Sequence, residues 1–126
     1  MSYSHTINLK RRIIIQRFDG TLSLGQVCEG VEKLWADPAY DRTFDGITDL
    51  SHSVANGTVE DVRALSRFVM NRAQASTGRW AVVTNDPKIT AFVLVFSRLS
   101  PKPALSVFST WAAATAFMQV EAMPPA

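Results

Sequence analysis

Short runs of β-branched and aromatic residues alternate along this chain with stretches whose apolar residues recur at helical spacing, and no other feature restricts the fold as much. Residues 7–9 and 13–18 are two apolar runs separated by Lys10, Arg11 and Arg12, the pattern of a β-hairpin whose second strand ends at the turn pair Asp19 and Gly20. Ser23 with Gln26 three residues on is a capping box, in which each side chain satisfies a free backbone N–H at a helix start, and Leu22 and Val27 are spaced for the accompanying hydrophobic staple. Leu24, Val27, Cys28, Val31, Leu34 and Trp35 then share one face of a helix that ends before Pro38.

Residues 45–50 read as a third strand and 51–57 as a loop. Thr58 is the N-cap of a second helix, with Glu60 and Asp61 in the first turn, where the helix dipole favours negative charge. Val62, Leu65, Val69 and Ala73 form its buried stripe, and Gly78 stops it. Residues 80–84 make an uninterrupted apolar strand of the kind covered on both faces. Pro87 after Asp86 is an N1 proline opening a third helix, with Ile89, Phe92, Val93, Phe96 and Leu99 on one face and Pro101 and Pro103 beyond its end. Residues 105–108 form the last strand, and Ser109 caps a closing helix that directs Trp111, Ala114, Phe117 and Met118 inward.

The order β-β-α-β-α-β-α-β-α predicts an α/β fold: a mixed, mostly parallel five-stranded sheet with helices, the hairpin supplying the antiparallel pair. A chain of 126 residues has room for one domain, placed at residues 1–122 with a short C-terminal tail at 123–126. Its 47% hydrophobic content fills a core without a disulfide or a structural metal. The single Cys28 lies on an apolar helix face as a small hydrophobe.

Thirteen Lys and Arg against eleven Asp and Glu leave a formal charge of +2 and no basic stripe, which argues against nucleic acid as a partner. The only dense basic run, Lys10 to Arg12, sits in the hairpin turn, where like charges stay solvated. The N-terminal residues lack the basic, then apolar, then small order of a signal peptide, so a cytoplasmic location is expected. Residues 103–120 carry no charge but are interrupted by Pro103, Ser106, Ser109, Thr110, Thr115 and Gln119, so no integral membrane segment is expected.

Several local sequences carry a resemblance over nearly the whole chain. Asp37, Pro38, Ala39, Tyr40 and Asp41 follow the first helix as an Asp-Pro-x-Tyr segment, residues 45–50 and 79–86 look like the strands that come after it, and residues 108–118 read Phe-x-x-apolar-x-x-Ala-x-x-aromatic-apolar. With the order of elements, these resemble the STAS domain shared by sulfate transporters and anti-sigma-factor antagonists, and more closely its SpoIIAA-like branch of small bacterial proteins. The resemblance implies a non-enzymatic regulatory or protein-binding module. In the antagonist branch a serine within Asp-Ser-Ser-Gly, at the start of the second helix, is phosphorylated to switch partners. This chain has Ala55, Asn56, Gly57, Thr58 and Val59 there, so Thr58 is the one hydroxyl that could take that role. The STAS fold is also similar to lipid-binding domains of the Sec14 type, which implies an alternative: a small apolar-ligand carrier with a cavity between the sheet and the third helix.

In open parallel sheets ligands bind beyond the carboxyl ends of the strands. Those ends deliver Ser51, His52 and Ser53, then Asn85 and Asp86, with Asn56 and Thr58 beside them, a candidate polar site for an anion or small polar ligand. Asp49, His52 and the serines include the residue types of a hydrolase triad, but they come from one loop rather than from converging elements, and no Gly-x-Ser-x-Gly elbow or phosphate loop is present. No enzyme activity and no cofactor are therefore expected. His5, His52 and Cys28 have no metal-ligand spacing, so no metal site is expected either. Ala91, Leu94 and Val95 lie on the side of the third helix that should face water, and this surplus apolar surface suggests self-association as a homodimer, another protein partner, or an apolar small molecule.

Overall fold

A computed structural model describes residues 2–119; the tail expected at 123–126 lies outside them. The elements run β1 (Ser2–Asn8), β2 (Ile13–Leu22), α1 (Leu24–Ala36), β3 (Asp45–Asp49), β4 (Ser53–Ala55), α2 (Val59–Met70), β5 (Arg79–Val83), α3 (Pro87–Leu99), β6 (Ala104–Phe108) and α4 (Trp111–Phe117). Across the sheet the order is β1-β2-β3-β5-β6, with β4 on the far end of β2. Among the described residues only β1 and β2 pair antiparallel and every other pairing is parallel, so the α/β architecture and the mixed, mostly parallel sheet are as the alternation predicts.

Successive residues of the central strands serve opposite layers, as the two-residue period of a strand requires. Ile13, Ile47, Ala81 and Val83 pack with Ala114 and Met118 beneath α4, while Ile14 and Trp80, and Phe18 and Val82, face the layer of α1, α2 and α3. The capping box of Ser23 and Gln26 is present, and Leu22 and Val27 share one apolar cluster, as a staple should. Thr58 caps α2, and Asp86 with Pro87 opens α3.

The structure departs from the sequence reading at several points. The sheet has six strands rather than five, because residues 53–55, read as loop, pair with Gly20–Leu22 as β4. For the same reason β2 does not end at Asp19 and Gly20: it leaves β3 after Arg17, turns at Gly20 (φ 97°) and continues along β4. β1 covers Ser2–Asn8, an edge strand of alternating exposure, and Leu9 belongs to the turn. α2 stops at Met70, well before Gly78, and Ala73 is exposed; the chain between is pinned to the segment after α1 by Tyr40 Oη donating to the Gln74 carbonyl and Thr77 N–H to the Arg42 carbonyl. Thr110, not Ser109, caps α4, and Leu99 and Phe117 are 39% and 41% exposed instead of inward.

Three carboxylates tie the outside of the fold together and are held below the usual carboxylate range: Asp37 by the Ala39 N–H and then the His5 imidazole, Asp19 by the Arg17 guanidinium, and Asp41 by the Thr43 hydroxyl. A carboxylate with a depressed folded-state pKa stabilises the fold above its unfolded value of about 3.9, and that stability is lost as pH falls through the folded value. The urea midpoint is therefore expected to fall between pH 5 and pH 3, and to fall less in a variant carrying Asp19→Asn, Asp37→Asn and Asp41→Asn. Equal falls in the two proteins would refute the assignment.

Candidate functional site

The helical layer over β2, β3 and β5 does not close completely. α1 stands on β1 at the sheet edge, α3 on β4 and β6, and α2 rests on α1 and α3. Gly30 sets how near α1 comes to the sheet, since a Cβ there would lie 2.6 Å from Phe18 Cε2 and 2.9 Å from Tyr3 Cδ1, so only glycine lets the helix approach so near. Between the helices and the middle strands lies a cavity of about 250 Å³.

Its floor is Gln16, Phe18, Thr48, Leu50, Trp80, Val82 and Leu105 from the sheet. The walls come from the helical stripes, chiefly Val27 and Val31 of α1, Leu65 of α2, and Phe92 and Val93 of α3. These side chains are only half-buried because they face the empty volume rather than one another. At the amino ends of the strands an aromatic group closes the space: Trp35 stacks on Phe68 with ring centroids 5.6 Å apart and Arg72 lies over both rings, while Trp80 Nε1 donates to Ser76 Oγ at 2.7 Å. At the carboxyl ends the lining passes through Ser23, Asn56, Gly57 and Asp61, and Asn56 is the exposed member, which marks the mouth.

The floor is not wholly apolar. Tyr3 Oη donates to Gln16 Oε1 at 3.1 Å, and Gln16 Nε2 donates to Thr48 Oγ1 at 2.9 Å, a polar chain running across β1, β2 and β3. Gln16 is 7% exposed. Burial, reinforced by the charge of Asp37, pushes the Tyr3 phenol well above its usual range, so it stays a donor.

Of the polar residues placed at the strand ends, Asn56 lines the cavity and the others do not. Ser53 is buried and its hydroxyl donates to the Phe18 carbonyl at 2.5 Å. Asp86 caps α3 through the Lys88 N–H and also accepts the Ala55 N–H of β4. Thr58 and Asp61 cap each other at the start of α2, and Asn85 is exposed. Ser51 donates to buried Asp49 at 2.6 Å, and His52 Nδ1 lies 3.2 Å from both Ser51 Oγ and Arg17 Nη2. A triad needs the acid to orient the histidine; here it holds the serine, and the histidine faces a guanidinium.

On α3, Ala91 and Leu94 are exposed, Leu94 by 59%, whereas Val95 packs into the cluster of Val62, Val69 and Phe96 against α2. Burial raises the pKa of the Cys28 thiol, consistent with a small hydrophobe. Among the described residues no group of His, Cys, Asp or Glu could hold a metal ion, and no helix is long and apolar enough to cross a membrane. The sequence reading overlooked Gln16 and Thr48. The available signal was one polar side chain on a strand face that otherwise reads apolar: Gln16 between Ile14 and Phe18 in β2, and Thr48 two residues from Gly46 and Leu50 along β3. Compared with known proteins, the chain matches no family model and no curated protein.

Proposed function

We propose that this protein is a non-enzymatic binding module that takes a small, largely apolar molecule into the cavity between its sheet and α1, α2 and α3. The observation that carries this reading is the cavity itself: about 250 Å³ of space walled by aliphatic and aromatic side chains and opening at the carboxyl ends of the parallel strands. A cavity of about 150 Å³ is large enough for benzene, so this one suits a molecule of roughly ten non-hydrogen atoms. A regulatory role, which the likeness to the STAS domain implies, is compatible with it, because an occupant would touch all three helices.

The other readings have less support. Phosphate on Thr58 would meet the carboxylate of Asp61, whose Oδ2 is 2.9 Å from the Thr58 amide nitrogen, and like charges there oppose the switch. Association through α3 would rest on Ala91 and Leu94, without Val95.

Fluorescence of 1-aminonaphthalene, a neutral probe of suitable size, should rise and shift to the blue on titration with the protein. Val31→Phe combined with Leu65→Phe fills the cavity from two walls. It is expected to stabilise the fold by about 1 kcal/mol, as cavity filling commonly does, while abolishing the fluorescence change. A wild-type protein that leaves the probe spectrum unaltered would sink the proposal.

A further inference from the structure

We infer that the occupant of the cavity is a neutral apolar molecule carrying one hydrogen-bond acceptor, a ketone, aldehyde, ester or amide carbonyl, held by Gln16 and Thr48. This rests on the reading of the cavity as a ligand site. Three observations define the class.

The first is the donor balance of the floor. A carboxamide nitrogen carries two hydrogens and a threonine hydroxyl one. Tyr3 occupies Gln16 Oε1, and one Nε2 hydrogen goes to Thr48 Oγ1. The second Nε2 hydrogen and the Thr48 hydroxyl hydrogen are then available at a floor that is otherwise apolar. A ligand acceptor pairs with them; a ligand without one leaves donors facing hydrocarbon, which costs free energy.

The second is charge. Among the described residues the lining contains no Lys, Arg or His. A carboxylate drawn inside would lose its hydration with no cation to compensate it, which sets fatty-acid-like and other anionic ligands apart from neutral ones. The third is the position of Asp61, among the described residues the only carboxylate in the lining. It sits at the mouth, its Oδ2 accepts the Thr58 N–H at 2.9 Å, and so it is engaged in capping α2 rather than aimed at a ligand amine on the floor. Donors on the floor are also the wrong partners for an ammonium group.

Four molecules of one shape separate these classes: indane, 1-indanone, 1-aminoindane and indane-1-carboxylate, titrated at pH 7 by chemical-shift perturbation. 1-Indanone is expected to bind roughly five- to tenfold more tightly than indane, the gain of one net hydrogen bond. The amine and the carboxylate should bind more weakly than indane. Gln16→Leu combined with Thr48→Val, both close in shape to the original residues, removes both donors and should bring the preference for the ketone to within about twofold while indane still binds, whereas Thr48→Val alone leaves Gln16 Nε2 to donate and should keep the preference. If the double variant does not fold, the carbonyl resonance of 13C-labelled 1-indanone carries the test in the wild-type protein: a downfield shift on binding marks an accepted hydrogen bond, and its absence overturns the inference. Equal binding of indane and 1-indanone, tightest binding of a charged member, or a ketone preference that survives removal of both donors would overturn the inference and leave the apolar-cavity reading standing. Failure of all four to bind would overturn both.

Discussion

Gly46→Val is expected to lower the stability of the protein by about 3 kcal/mol, although valine is by propensity the better strand residue. Gly46 sits in β3 between Ile14 of β2 and Trp80 of β5, and its missing side chain is the space the Trp80 indole occupies. A Cβ there would stand 2.5 Å from Trp80 Cζ3 and 2.6 Å from Cε3, far inside van der Waals contact. Strand propensity spans about 1 kcal/mol in total, whereas forcing groups into a packed core costs roughly 1–3 kcal/mol and occasionally more, so the clash decides the sign. Trp80 is 5% exposed and bonded through Nε1 to Ser76. The one open direction for the ring is the cavity it lines, so the displaced indole gives up that bond and occupies the ligand space. Urea denaturation should show the lost stability, and 1-aminonaphthalene should no longer bind. Gly46→Ala should show both effects in weaker form. An unchanged urea midpoint together with unchanged probe binding would disprove the account.

Asp86→Ala should cost about 2–3 kcal/mol, from two separate losses. Asp86 Oδ1 accepts the Lys88 N–H at 3.0 Å and caps α3; removing such a cap costs about 1 kcal/mol. Its Oδ2 accepts the Ala55 N–H at 2.9 Å, and leaving a half-buried amide without a partner costs roughly 1–3 kcal/mol. Asp86→Asn keeps a good capping oxygen, but its amide nitrogen cannot accept from Ala55, so it should recover about half of the loss. Hydrogen exchange at the Ala55 amide distinguishes the two contributions: it should accelerate in both variants, whereas the first turn of α3 should fray only in Asp86→Ala. No acceleration at Ala55 would mean that pairing with β2 alone holds β4.

The starts of α1, α2 and α3 were legible because a cap is a local device. Ser23 with Gln26, Thr58 with Asp61, and Asp86 with Lys88 each act within three residues, so neighbouring residue types suffice to place them. β4 was not legible for the opposite reason. Ser53, Val54 and Ala55 become a strand through partners supplied by distant segments: Gly20–Leu22 alongside, the Phe18 carbonyl for the Ser53 hydroxyl, and Asp86 for the Ala55 amide. The polar residues at the strand ends were located in the right region, yet Ser53, Thr58 and Asp86 are engaged by backbone groups and not gathered into a site, which their residue types do not reveal. Helical periodicity placed Leu99 inward and Val95 outward; packing against α2 and the end of α3 reversed both.

By itself the sequence determined the succession of strands and helices apart from β4, the mixed sheet, and most of the face that each helix turns inward, because periodicity and capping are properties of a few neighbouring residues. Whether the inward faces meet was decided only in the tertiary structure. Val27, Val31, Leu65, Phe92 and Val93 carry the apolar pattern of an ordinary core, and as a pattern they are indistinguishable from one. What makes them the walls of a cavity is the close approach of α1 to Phe18 and Tyr3 at Gly30 and the resting of α2 on α1 and α3. Periodicity reports the direction in which a side chain points; the distance to the opposing layer depends on contacts between residues far apart in the chain.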